Sequence, residues 1–189
     1  MSEPAELARL LTRHSGAAIE RGGATALFEM LAGPAAGPVT ADVTLRRARP
    51  LTRSERRQLR AFAGTSGHER LGTLRTRTGI AVAEITAVIL PGRLPPATRA
   101  ALGIALSGAP LPARPGEPLG RALRGLGVTR EPLRVRLTPG ARDAEGAEQV
   151  IYSAARLWLG APVALVTERV YRSFLDALPQ PQPGPGTAP

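Results

Sequence analysis

Apolar residues recur at helical spacing near the start of the chain and at alternate positions in much of the rest. From Pro4 to Arg13, Leu7, Leu10 and Leu11 fall on one face, Pro4 suits a first helical turn and Glu6 suits its positive end, which predicts a helix. Gly22-Gly23 interrupts the pattern. Ala24 to Ala32 predicts a second helix with Leu27, Phe28 and Leu31 inward, ended by Gly33-Pro34. Val39, Ala41, Val43 and Leu45 then alternate, so Val39 to Arg49 reads as a strand. Ser54 to Ala63 reads as a short basic helix capped by Ser54.

From His68 onward strands and turns dominate. His68 to Arg77 and Ile80 to Leu90 flank Thr78-Gly79 as a hairpin. Short helices are expected at Pro96 to Leu106 and Leu119 to Leu126, with a proline-rich loop between them. Strands follow at Val128 to Leu137, Val150 to Leu159 and Pro162 to Tyr171, the last two a hairpin across Gly160-Ala161, and Ser173 to Leu178 closes the fold. Consecutive hairpins with helices gathered elsewhere predict an α+β domain, an antiparallel sheet with helices packed against it. The expected organisation is one domain over 1–178 and a disordered Pro/Gly-rich tail over 179–189. No glycine-rich loop joins a strand to a helix, which argues against a nucleotide site.

Composition narrows the chemistry. The 189 residues include no cysteine and only two histidines, His14 and His68, so thiolate sites and a three-histidine metal site are excluded and no metal is expected. Both histidines read as ordinary polar residues. All 25 basic residues are arginine, which removes lysine Schiff-base chemistry. Between Thr44 and Arg77 ten arginines face only Glu55 and Glu69, inside a net charge of +10. This block reads as a solvated face. Phe62 is its only aromatic, so stacking on nucleic acid is not expected. No apolar run approaches the roughly 20 residues of a membrane span. Met1 to Arg13 has no apolar signal core, and the expectation is a cytoplasmic protein.

One residue breaks the strand pattern. Ala164, Val166, Glu168 and Val170 share a face that is apolar except for the carboxylate. A lone carboxylate there must find a partner, raise its pKa or stay near water, so Glu168 is a functional-site candidate with an arginine ion pair as the alternative. Glu84 raises the same question on its own strand, with a salt bridge as its expected role. Arg70 shares a face with Gly72 and Leu74, from which a guanidinium can grip a carboxylate through two hydrogen bonds.

The order of several motifs resembles the chorismate pyruvate-lyase family. Pro162 to Tyr171, with Thr167-Glu168 inside an apolar strand, is similar to the family's closing strand. Glu117-Pro118-Leu119-Gly120-Arg121 is similar to its Pro-Leu-Gly helix start, followed by Val128-Thr129-Arg130-Glu131. Ala87 to Leu90 with Arg93-Leu94-Pro95, and Gly23-Ala24-Thr25 leading into Phe28-Glu29, complete a likeness running from about Ala5 to Leu178. The resemblance implies an antiparallel α+β fold and cofactor-independent cleavage of chorismate, a dianion, to 4-hydroxybenzoate and pyruvate. It further implies that Arg70 holds a substrate carboxylate, that Glu168 serves the ring hydroxyl and proton movement, and that Ala24, Leu119 and Gly120 meet the ligand. Arg75 rivals Arg70 in the alignment. The family often carries an arginine pair where this chain has Tyr152-Ser153-Ala154-Ala155, with Arg156 one place later. The alternative is a non-catalytic domain binding an aromatic acid, of the fold found in bacterial regulator effector domains.

Overall fold

The computed structural model describes residues 4–13, 23–104 and 116–178. The expected tail over 179–189, His14 and most of the expected proline-rich loop lie outside the described residues. Helix α1 spans Pro4–Arg13 and α2 spans Gly23–Ala32. Strand β1 is Thr40–Pro50, and α3 follows at Arg53–Leu59. The cap of α3 is Thr52 and not Ser54. The Thr52 hydroxyl accepts from the Glu55 N–H, while the Glu55 carboxylate accepts from the Thr52 N–H. This reciprocal pairing satisfies two otherwise orphaned donors, and only Thr52 stands three residues ahead of a glutamate.

The hairpin strands are β2, Ser66–Arg75, and β3, Ala81–Ile89. Helix α4 is Pro96–Ala101 and α5 is Leu119–Ala122. Both end sooner than expected, and Gly103 and Gly125, just beyond them, take positive φ and turn the chain away. Strands β4, Thr129–Arg142, β5, Glu148–Leu159, and β6, Ala161–Tyr171, precede α6, Arg172–Asp176.

The six strands form one antiparallel sheet in the order β1-β2-β3-β6-β5-β4. The last strand therefore sits at the centre, between β3 and β5. Strand alternation sends Ala83, Ile85 and Ala87 of β3 and Val166, Glu168 and Val170 of β6 to one face. On that face, Leu7 and Leu11 of α1, Leu27 and Phe28 of α2 and Phe174 and Leu175 of α6 pack on Val43, Leu74, Ile151 and Val170. Phe28 and Phe174 meet edge to face, with centroids 5.7 Å apart. A second cluster gathers Leu94, Leu102, Leu119 and Leu123 over Ile89, Leu157 and Ala164. Each such buried side chain stabilises the fold by about 1.5–3 kcal/mol. The opposite face is covered in part by α3, whose Leu59 packs with Leu51, Val88 and Leu90.

Gly72 of β2 pairs with Val43 beside the irregularity that β1 makes between Val43 and Leu45. A Cβ at position 72 would meet the Asp42 carbonyl oxygen and stand 2.9 Å from the Val43 Cα, both backbone atoms. Gly72→Ala should therefore destabilise by about 1–3 kcal/mol through overpacking, read as a lower urea midpoint at unchanged m-value.

Candidate ligand-binding cavity and a buried charge cluster

Small residues open a cavity between sheet and helices. Across the sheet, Arg70 lies opposite Ala87, Ala87 opposite Val166, and Val166 opposite Ala155. Ala87 in this row leaves space that a leucine would fill. The covering segments are small as well: Gly23-Ala24-Thr25 opens α2 and Leu119-Gly120 opens α5. Together with Ile85, Leu157 and Glu168 they line a mostly apolar cavity of about 60 Å³. Glu29 and Arg121 tie the two helices together at 2.5 Å, and Arg121 also donates to the Val39 carbonyl at 2.9 Å. The cover is thus a linked pair of short helices, whereas the floor is fixed by strand ladders.

Arg130 and Glu168 close one end of the cavity. Arg130 leaves edge strand β4 and reaches along the helix face of the sheet. Its Nη2 donates to Glu168 Oε2 at 2.8 Å and to Ser153 Oγ at 2.8 Å. Ser153 pairs directly across from Glu168 and is fully buried, and Arg130 and Glu168 are buried as well. The arginine alternative for Glu168 is therefore the one realised. Ser153 contributes a short hydroxyl to this cluster.

Arg70 lies beside the cavity and not on its wall. It is 1% exposed, its Nη2 donates to the Glu117 carbonyl at 2.8 Å, and its Nε and Nη1 have no hydrogen-bond partner. Arg46 of β1 sits directly opposite it in register. Burial, then the Arg46 charge, pushes the Arg70 guanidinium down to about 10, against a smaller opposing pull from Glu117. His68 lies two residues before Arg70 on the same face, is buried, and has an unpartnered Nε2. Burial, then Arg46 and Arg70, hold its pKa below the usual histidine value. His68 is thus no ordinary polar residue, and the arginine-rich block is not one solvated face: Arg70 turns inward while Arg47 and Arg49 pair outside with Glu69.

Of the residues expected at the site, the structure brings Ala24, Leu119, Gly120 and Glu168 around one cavity. Arg70 stands behind the 116–118 segment. Arg75 is at the hairpin end, where its Nη1 donates to the Gly79 carbonyl at 3.3 Å, and it does not line this cavity. Glu84 pairs with Arg169 at 2.6 Å, the salt bridge expected of it. Sequence reasoning gave no role to Arg130, Ser153 or His68. A larger hollow of about 480 Å³ opens on the other face, but its Arg49, Glu55 and Glu69 are already paired with one another. Among the described residues, no group of three His, Cys, Asp or Glu side chains could hold a metal ion, and no helix is long and apolar enough to cross a membrane.

No protein-family model and no curated protein sequence matches the chain. Solved structures do. The ligand-binding domain of a putative GntR-family transcriptional regulator from Bordetella bronchiseptica matches with a TM-score of 0.50 and 13% identity, covering 71% of this chain and 84% of that one. The C-terminal domain of the histidine utilization repressor from Pseudomonas syringae pv. tomato matches at 0.44 and 13% identity, covering 79% and 99%. The possible transcriptional regulator YydK from Bacillus subtilis matches at 0.43 and 14% identity, covering 70% of this chain and only 57% of YydK. The likeness to the Bordetella bronchiseptica domain shows the fold alone: an antiparallel sheet with helices packed against it. This is the α+β class expected from the sequence.

Proposed function

We propose that this protein binds a small, ring-sized carboxylic acid between the sheet and the α2–α5 pair, without turning it over. The observation that carries this is Arg70: a fully buried guanidinium with two idle donor atoms, beside an apolar cavity closed at its far end by Arg130 and Glu168. Idle buried donors cost about 1–3 kcal/mol each, and an anion relieves that cost. Strands β2 and β6 stand two steps apart, about 10 Å. That span holds an aromatic ring with a carboxylate at the Arg70 end and a polar group at the Glu168 end. A cavity that admits benzene is about 150 Å³, so the helix pair must swing outward for the ligand to enter. The Bordetella bronchiseptica neighbour, named as a ligand-binding domain, agrees with this reading.

Turnover of chorismate is the second reading. It draws on Thr167-Glu168 and on the place of Glu168 in the cavity wall. Against it, Glu168 Oε2 is occupied by Arg130, in an arrangement suited to holding shape rather than moving a proton. Incubation with chorismate and with 4-hydroxybenzoate separates the two. We expect thermal stabilisation of roughly 5–10 °C at ligand concentrations near 100 times Kd, with no product. Equal amounts of 4-hydroxybenzoate and pyruvate, absent with Glu168→Gln, would establish the lyase instead.

A further inference from the structure

We propose that His68 and Arg70 are two donors of one closed oxyanion site, now plugged by the Glu117 carbonyl, and that a ligand carboxylate displaces this plug and brings a proton onto His68. The inference rests on the binding reading above and adds to it a second donor, a plug and a linkage to protons. His68 and Arg70 stand two residues apart on one face of β2, about 7 Å along the strand, a spacing that lets hydrogen bonds from both reach a group lying between them. Three nitrogens here, His68 Nε2 and Arg70 Nε and Nη1, are buried without a partner. Buried polar atoms without a partner are rare, and three on neighbouring side chains, two of them guanidinium donors, mark a missing group.

The plug is visible. Gly116 is strapped to β1 by reciprocal hydrogen bonds with Ala41, of 2.9 and 3.3 Å. A Cβ on Gly116 would lie 2.7 Å from Arg70 Nη2, so the lack of a side chain is what lets this backbone press onto the guanidinium. The next residue places its carbonyl on Arg70. One neutral oxygen satisfies one donor atom; a carboxylate has about four lone-pair sites and serves a guanidinium and an imidazole together.

The surroundings set the sign of the proton linkage. Arg46 faces this cluster from β1 and Arg70 from β2, β3 presents only Ile89 and Ala87 opposite them, and the covering segment contributes Glu117. The Glu117 carboxylate is turned to Arg121 at 3.3 Å. Among the described residues, positive charge therefore outweighs negative around His68 and, behind burial as the larger cause, holds its pKa below the usual histidine value. A bound carboxylate reverses the balance and favours the imidazolium, so affinity rises as pH falls.

Calorimetry with 4-hydroxybenzoate, in buffers of different ionisation enthalpy from about pH 5 to about pH 8, tests this. The ligand carboxyl is ionised and its phenol neutral over most of that range, so any proton taken up lands on the protein. We expect close to one proton gained per ligand near pH 7 and affinity falling up to about tenfold per pH unit above the free histidine's titration. In His68→Gln, which keeps a donor, binding should persist with no uptake and a flat profile. Binding by the parent protein with zero uptake, or the parent's slope retained in His68→Gln, overturns the inference while leaving the binding reading intact. No binding at any pH overturns the binding reading, and this inference with it.

Discussion

Arg130→Ala should lower stability by about 3–5 kcal/mol, because it leaves Glu168 as a buried carboxylate without its counter-charge. In a chain of this size that is roughly a 10 °C fall in Tm. Glu168→Ala should cost a similar amount by stranding Arg130, whose Nη2 would keep only the Ser153 hydroxyl. The paired change, Arg130→Met with Glu168→Leu, should return most of the loss, since desolvating two charges offsets most of their attraction. Arg130→Met alone and Glu168→Leu alone, with this paired change and the parent, make a double-mutant cycle, read by urea midpoints. A coupling below about 0.5 kcal/mol would mean that the pair is exposed to water in solution and does not hold the cavity end. The experiment also bears on function. A large coupling marks Glu168 as a structural anchor of the site, and a proton carrier held so firmly by an arginine is a poor one.

Much of the fold was legible because its signals are local. Alternation along Val39 to Leu45 and Ala164 to Val170 reports a half-buried strand wherever the strand sits in the sheet. Glycine and proline marked nearly every turn. What alternation cannot give is pairing: that β6 enters between β3 and β5 depends on contacts some 80 residues apart, such as Ile85 with Glu168. The α3 cap was misplaced because Ser54 and Thr52 are both good caps, and only the reciprocal bond with Glu55 selects Thr52. The site was half legible. Glu168 announced itself by breaking an apolar face, while Ala24, Leu119 and Gly120 came from family resemblance, since small residues carry no chemical signal. Arg130 and Arg70 were each one arginine among 25. Burial tells them apart from the surface arginines, and burial depends on the assembled sheet. His68 had a readable cue, the two-residue spacing to Arg70 on one strand, but an imidazole next to a guanidinium draws notice only when both prove buried.

Arg70→Met should raise stability and abolish binding together. The arginine is fully buried beside Arg46, and only one of its donor nitrogens has an acceptor. Burial, and then the charge of Arg46, weaken its hold on its proton and bring it down to about 10. Methionine matches the length of the aliphatic stem, fills irregular space and removes both the like-charge repulsion and the idle donors. The gain should be about 1–3 kcal/mol, with the freed Glu117 carbonyl taking back a small part. Loss of a two-donor grip on a carboxylate should weaken 4-hydroxybenzoate at least 100-fold, about 2.7 kcal/mol. Opposite signs are the point. A residue retained for folding loses stability when it is replaced, whereas a residue retained for a ligand releases strain stored in the empty protein. Thermal unfolding without ligand, followed by titration with 4-hydroxybenzoate, reads both quantities on the same sample. Lower stability in Arg70→Met would assign the guanidinium to the fold through Glu117. Higher stability with unchanged affinity would move the ligand's carboxylate away from β2 and toward Arg130, the other buried arginine at the cavity.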